Sequence, residues 1–273
     1  MILGTGTPVP DPERSGPAVA IVVDGRVYLV DAGAGVVRRA AAAVEAGEWA
    51  LLPENLDRLF VTHLHSDHTI GIPDVLHMGW IQGRIDPLEV YGPPGIAAMS
   101  RHLEQAWAAD VEVRRRGEEE RHGEGHRIAA VEIAPGVVYQ DERVRVTAFA
   151  VEHGSWEHAF GYRFDTGDRS IVISGDTAPT EAVVEACAGC DLLVHEVYSA
   201  TTFELLGPGG QAYHSSFHTS TEELAGLAVR ARAKELVLYH QLYFGADDEM
   251  LVDEVRSAGF EGEVHSARDL DVF

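Results

Sequence analysis

Apolar runs bounded by turn residues recur along this chain, and their spacing predicts its elements. Residues 18–23 (AVAIVV) and 26–30 (RVYLV) flank Asp24-Gly25, a dipeptide that closes two-residue hairpins, so the two runs are expected to pair as antiparallel strands. Further short strands are expected at 59–62, 88–91, 144–150, 160–164, 170–174, 192–195 and 235–239. Helical spacing marks 36–46, 96–109, 180–186, 221–233 and 249–258. The early half reads as mostly hairpins, and the later half alternates strand with helix. That mixture suits two β-sheets packed face to face with helices outside. No fixed-period repeat or Gly/Ser linker divides the pattern, so residues 1–273 are expected to form one domain. The least regular stretch, 113–127 (VRRRGEEERHGEGHR), is expected to be a solvated, charged excursion. A loop of that length can also serve as a lid. Its His122 and His126 would be poor ligands on a mobile loop.

Composition then narrows the partners. Of 273 residues, 45% are hydrophobic and 24% charged, as in an ordinary globular protein. Lys+Arg number 21 against 44 Asp+Glu, a formal net charge of −23. Binding to a phosphate backbone draws its affinity from Lys and Arg, so the expectation at this point is no nucleic-acid partner. An anionic membrane surface is disfavoured for the same reason. No run approaches the roughly 18 apolar residues of a membrane span. The chain opens on MILGTGTPVP with no signal-peptide pattern, so a cytoplasmic location is expected unless the start is trimmed. Two cysteines, Cys187 and Cys190, exclude a disulfide framework. In EACAGCD they are expected to be small buried residues rather than a redox pair.

The chemistry concentrates after the apolar run LFVT. His63-Leu64-His65-Ser66-Asp67-His68 places three imidazoles and a carboxylate within six residues. These donors suit Zn²⁺ and neighbouring ions. His63 and His65, two apart in extended chain, point the same way. Asp67 and His68 follow a turn and can face a second ion. Later strands end on His153, Asp176 and His240, the position where α/β folds gather their sites. Together these residues complete a two-metal set with a bridging carboxylate.

With these motifs the sequence resembles the metallo-β-lactamase superfamily over essentially its whole length. The resemblance implies an α/β fold, a four-layer αββα sandwich. It implies His63, His65 and His153 as ligands of one metal, Asp67, His68 and His240 as ligands of the other, and Asp176 between them. Asp31, in VYLVDAG, matches an acidic residue that supports the site from behind the ligands. LGTGTPVP, VYGPPG, HEVYS and FHTSTEELAGLA point within the superfamily to a ribonuclease Z and arylsulfatase-like branch. The stretch PGVVYQDERVRVTAFAVEHG with FGYRFD looks most like arylsulfatase-type members. His218 matches a histidine that assists the leaving group, oriented by an acidic residue matching Glu196. His214 could compete for that role. A homodimer is common in the resembling family.

The resulting expectation is a di-metal hydrolase, with Zn²⁺ favoured and Mn²⁺ or Fe²⁺ open. A metal-bridging hydroxide would attack a small sulfate ester or phosphodiester, arylsulfatase-like, with Asp67, His218 and Glu196 as its catalytic residues. Three alternatives stand beside it: a ribonuclease Z-like tRNA 3′ endonuclease, a lactone or acyl-ester hydrolase, and a non-catalytic metal-binding protein. The tRNA alternative is set lower because segment 154–175 has no room for the long tRNA-binding arm of arm-bearing ribonuclease Z. True β-lactamases usually lack a carboxylate matching Asp176, so antibiotic hydrolysis is set lower still. Trp80, Trp156, Tyr243 and Phe244 neighbour three of the motifs. Each singly reads as core, and two or more facing the site would favour an aryl substrate. Arg84 could meet an ester anion, although a surface ion pair is the plainer expectation.

Overall fold

The computed structural model describes residues 1–117, 119 and 121–273; Glu118 and Glu120 of the charged excursion lie outside the described residues. The backbone divides into two compact units. One comprises Met1–Gly4, Pro8–Ile133 and Asp269–Phe273, the other Thr5–Thr7 and Ala134–Arg268.

The first unit is built on a six-stranded sheet in the order β1 (Ile2–Gly4), β2 (Ala18–Val23), β3 (Arg26–Val30), β4 (Arg58–Phe60), β5 (Leu88–Gly92), β6 (Ile128–Glu132). Asp24-Gly25 closes the β2–β3 hairpin as expected; both residues have positive φ. From β3 onward the strands pair in parallel. Parallel pairs require crossovers. These are supplied by α1 (Val36–Glu45), the single turn α2 (Ser66–Thr69), α3 (Ile72–Gln82), α4 (Ile96–Ala106) and α5 (Ala108–Arg116). Helix α1 buries Val36, Val37, Ala40 and Ala43, one helical stripe, in a core that also holds Leu29, Leu59, Val61, Leu76 and Val90.

The second unit carries a seven-stranded sheet. It runs β7 (Gly136–Gln140), β8 (Arg145–Ala150), β9 (Phe160–Asp165), β10 (Ser170–Ile173), β11 (Leu192–Tyr198), β12 (Glu235–Leu242), β13 (Glu263–Ser266). Strands β7 to β10 are antiparallel, and β10 to β13 are parallel. The connecting helices are α6 (Glu181–Cys187), α7 (Ala200–Phe203), α8 (Pro208–Phe217), α9 (Thr221–Ala231) and α10 (Asp248–Ser257). A capping box starts α9: Ser220 Oγ accepts from Glu223 N, and the Glu223 carboxylate accepts from Ser220 N. Every residue of β11 is buried, as a strand covered on both faces requires. Two of them, His195 and Glu196, are polar.

Both units therefore place antiparallel strands first and parallel strands after. The expected contrast between a hairpin half and an alternating half is corrected, because α3 escapes the sequence pattern. Its residues, IPDVLHMGWIQ, form a nearly continuous apolar run with Pro73 and Gly79 inside, and periodicity alone does not identify such a run as helix.

Two side-chain expectations are also corrected, those for the cysteines and for Arg84. Cys187 and Cys190 are buried as expected, but they are joined in a disulfide at the end of α6. Ala188 and Gly189, both at positive φ, turn the chain between them. Trp80 is core, as its single reading expected, 1% exposed with its ring against His126. Among the described residues Arg84 forms no surface ion pair. It is buried, donating through Nη1 to the carbonyls of Leu56 and Val75 and through Nη2 to those of Leu76 and Gly125. Burial pushes its pKa down to about 10, which leaves it charged at neutral pH. It thereby ties the end of the charged excursion to α3. The start of that excursion, 113–116, is the last turn of α5. Arg84→Met would remove four hydrogen bonds to buried carbonyls. We expect it to cost about 3 kcal/mol, read from the midpoint of chemical denaturation. A variant as stable as the parent would contradict this strut role.

Candidate metal centre

The two units each present a set of buried donors at the ends of their strands. In the first unit, β3 ends at Val30, and Asp31 follows in the left-handed region at φ 59. That backbone costs a non-glycine residue roughly 1–2 kcal/mol. Three hydrogen bonds hold it. Oδ1 accepts from Thr62 N at 2.8 Å, and Oδ2 accepts from Thr62 Oγ1 at 2.9 Å and faces His68 Nδ1 at 2.8 Å. With the His68 proton on Nδ1, its Nε2 is presented as a lone pair, 3.5 Å from Asp67 Oδ2. His63 and His65 lie on the extended chain before α2, with His63 Nε2 and His65 Nδ1 facing each other at 2.9 Å. Two nitrogens on one tetrahedral ion with bonds of about 2.0–2.1 Å stand roughly 3.3 Å apart, so this pair is within a few tenths of an ångström of a ligand pair. His63 Nδ1 is held by Thr62 Oγ1 at 3.0 Å. The first unit thus brings together His63, His65, Asp67 and His68, with Asp31 behind them. Asp31→Ala is expected to weaken metal binding 10–100-fold, read by competition with a chelator. Unchanged affinity would remove Asp31 from the site.

In the second unit, His153 follows β8 and Asp176 follows β10 across Gly175, at φ 63. His240 lies within β12. The register between β11 and β12 slips there: Glu196 pairs with Tyr239 and Val197 with Gln241, which leaves His240 as the extra residue at φ 45. A bulge of this kind re-aims one side chain. His240 Nε2 lies 3.4 Å from Asp176 Oδ2, and His153 Nε2 lies 4.0 Å from the same oxygen. His153 Nδ1 is 2.8 Å from the Phe217 carbonyl, which fixes its proton on that side and frees Nε2 for a cation. The donor atoms of Asp176, His218 and His240 all lie within 4.8 Å of one another.

Glu196 sits on buried β11 at zero exposure, and its Oε2 lies 3.3 Å from His218 Nδ1. Its Oε1 accepts from Thr219 N at 2.9 Å and Thr177 N at 3.3 Å. Burial, and then the charge of Asp176, push the Glu196 carboxyl well above the usual carboxylate range. Sequence reasoning finds Glu196 and His218 but not Thr177 or Thr219. Their role is played by backbone N–H groups, which leave no residue-type signal. The His214 ring packs against Phe244 at 4.7 Å and lies 5.7 Å from the His218 ring. Of the other aromatics, Tyr243 is partly buried against the core beside α10.

Buried imidazole and carboxylate donors with fixed tautomers suit divalent cations. Comparison with known proteins agrees. The family model described as "Beta-lactamase superfamily domain" matches residues 26–241. The chain belongs to the metallo-β-lactamase superfamily. A protein of Mycolicibacterium gilvum named Ribonuclease Z is 32% identical over 88% of this chain and 82% of its own length. Its namesake in Mycobacterium marinum is 31% identical over 98% of this chain and 95% of its own. Among solved structures, human tRNase Z, short form (ELAC1), superposes with a TM-score of 0.73 at 24% identity, covering 100% of this chain and 97% of that one. The α/β metallo-β-lactamase fold, with its two mixed sheets and helices, is therefore that of this chain, as its sequence implied. The superfamily is one of metal-dependent hydrolases, and divalent metal is the cofactor class that the donors fit.

Two expectations fall. The arylsulfatase side of the branch finds no support, since these relatives carry the name Ribonuclease Z. The expectation of no nucleic-acid partner is contradicted by the same relatives. The physical error lies in the net charge, an average over the surface, whereas binding follows the local field at the site. The missing arm also loses its weight. The M. marinum relative aligns over nearly its whole length with this chain and leaves no space for a long insertion of its own.

Proposed function

We propose that this chain is a metal-dependent RNA phosphodiesterase of the ribonuclease Z type that cleaves tRNA precursors at their 3′ side, and that residues 1–273 work as one hydrolase domain. The observation that carries the reading is the end-to-end likeness to relatives named Ribonuclease Z. His63, His65 and His153 would hold one divalent cation, Asp67, His68 and His240 a second, with Asp176 serving both. When bound, such cations neutralise phosphate charge and activate water near neutral pH. The remaining work falls to the chain's own groups. Asp67 accepts a hydrogen bond from the attacking water and aims it. Glu196 holds His218 by Nδ1, which leaves Nε2–H for the departing oxygen. The wholly buried Glu196 carboxyl, with Oε2 3.3 Å from His218 Nδ1, orients that ring for the transfer.

That pair favours RNA over activated aryl esters. The ribose oxygen that leaves an RNA diester is a poor leaving group and needs a proton, whereas an aryl oxide leaves without much help. A buried carboxylate dedicated to a histidine is expected where protonation limits the rate. The test is incubation of metal-loaded protein with a tRNA precursor carrying a 3′ trailer, followed by mapping of the product ends. A single cut near the base of the acceptor stem is expected. An intact precursor, with bis(nitrophenyl) phosphate still hydrolysed, would overturn the reading.

A further inference from the structure

Helix α8 buries none of its residues, yet it carries two stacked aromatic rings. Tyr213 and Phe217, one helical turn apart, stack with centroids 4.5 Å apart and planes 23° from parallel. A helix with no buried residue has no core reason to carry them. Phe217 is seated on the backbone beside His153: a Cβ on Gly154 would lie 2.1 Å from its ring, so only glycine, here at φ 54, admits the ring. Gly154 N donates to Ser216 O at 2.9 Å, and His153 Nδ1 lies 2.8 Å from Phe217 O. The Phe217 ring meets the His153 ring edge-on at 4.9 Å. The outer ring, Tyr213, is 49% exposed. The result is a flat aromatic shelf, clamped at one end to a candidate metal ligand and open at the other.

We propose that Tyr213 and Phe217 form a stacking subsite for an unpaired nucleobase of the RNA, next to the bond that is cut; this rests on the ribonuclease reading above. The chemistry on the page favours a base over a phosphate. Segment 200–217 (ATTFELLGPGGQAYHSSF) contains no Lys or Arg, so α8 offers no permanently charged side chain to a backbone anion. Stacking requires no cation and tolerates any base, because every base has a π-face. It is therefore a mode of RNA binding open to a chain with a net charge of −23. His153 and His218, whose rings lie 5.5 Å apart, adjoin the shelf, which places the stacked base near the departing oxygen.

The experiment crosses a protein change with a substrate change. Wild type, Tyr213→Ala and Tyr213→Trp are assayed on one 3′-extended tRNA precursor and on versions with an abasic ribose at successive positions flanking the cut. Tyr213→Ala is expected to lower kcat/KM about tenfold on the full substrate, with metal content unchanged and Tyr213→Trp close to wild type. At one position the abasic ribose should abolish the difference. The loss should be similar at low and moderate salt, because no counterion release is involved. Equal rates for all three proteins would overturn the shelf and leave the ribonuclease reading standing. A loss that persists on every abasic substrate would assign Tyr213 to support of the fold and also overturn it. A wild type that leaves RNA uncut removes the reading and the shelf together.

Discussion

Replacing His65 by alanine is expected to remove bound metal and activity together. His65 lies half-buried on the extended chain before α2, its Nδ1 2.9 Å from His63 Nε2, so the change deletes one arm of a ligand pair without opening the core. Metal-derived stabilisation of a phosphoryl transition state is worth several kcal/mol, so kcat/KM should fall roughly 10³-fold. Metal analysis of the purified variant and its rate on one diester decide the matter. A His65→Ala protein with full metal content and an undiminished rate would show that the ligand assignment is wrong.

His218→Ala should behave differently, and the contrast is informative. Its partner Glu196 is wholly buried and held by two backbone N–H groups, an arrangement suited to fixing a proton donor rather than binding a cation. We expect metal content to be retained and RNA cleavage to slow roughly 10²–10⁴-fold, with a much smaller effect on nitrophenyl esters. Glu196→Gln should show the same leaving-group dependence in weaker form, as expected of a positioning residue. His218 also lies within 4.8 Å of Asp176 and His240, so a ligand role makes the opposite prediction. Loss of metal, or equal slowing of good and poor leaving groups, would count against the acid assignment.

Much of this molecule is legible in its sequence, for physical reasons. The β2–β3 hairpin follows from Asp24-Gly25, and the β11 strand from an apolar run too short for a helix. The ligands stand out because three imidazoles and a carboxylate fall within six residues directly after an apolar strand. Asp31 is legible too, and its left-handed backbone gives the reason an acidic residue is held there. What the sequence hides is set by tertiary context. Helix α8 (PGGQAYHSSF) carries two glycines in its first turn and no apolar stripe, so its pattern reads as loop. The bulge that aims His240 depends on a one-residue slip between β11 and β12. Arg84 looks like a surface cation until four carbonyls are found around it. The Cys187–Cys190 spacing fits free or bonded thiols equally. Net charge misled outright, because a whole-chain count carries no information about the local field at a strand edge.

The central claim is that the site cuts RNA, and it is tested most directly by kcat/KM of the metal-loaded protein on a 3′-extended tRNA precursor, measured beside nitrophenyl sulfate and bis(nitrophenyl) phosphate. The account predicts efficient cleavage of the precursor, weak turnover of the diester and negligible turnover of the sulfate. Preference for the sulfate, with the precursor left intact, would contradict it.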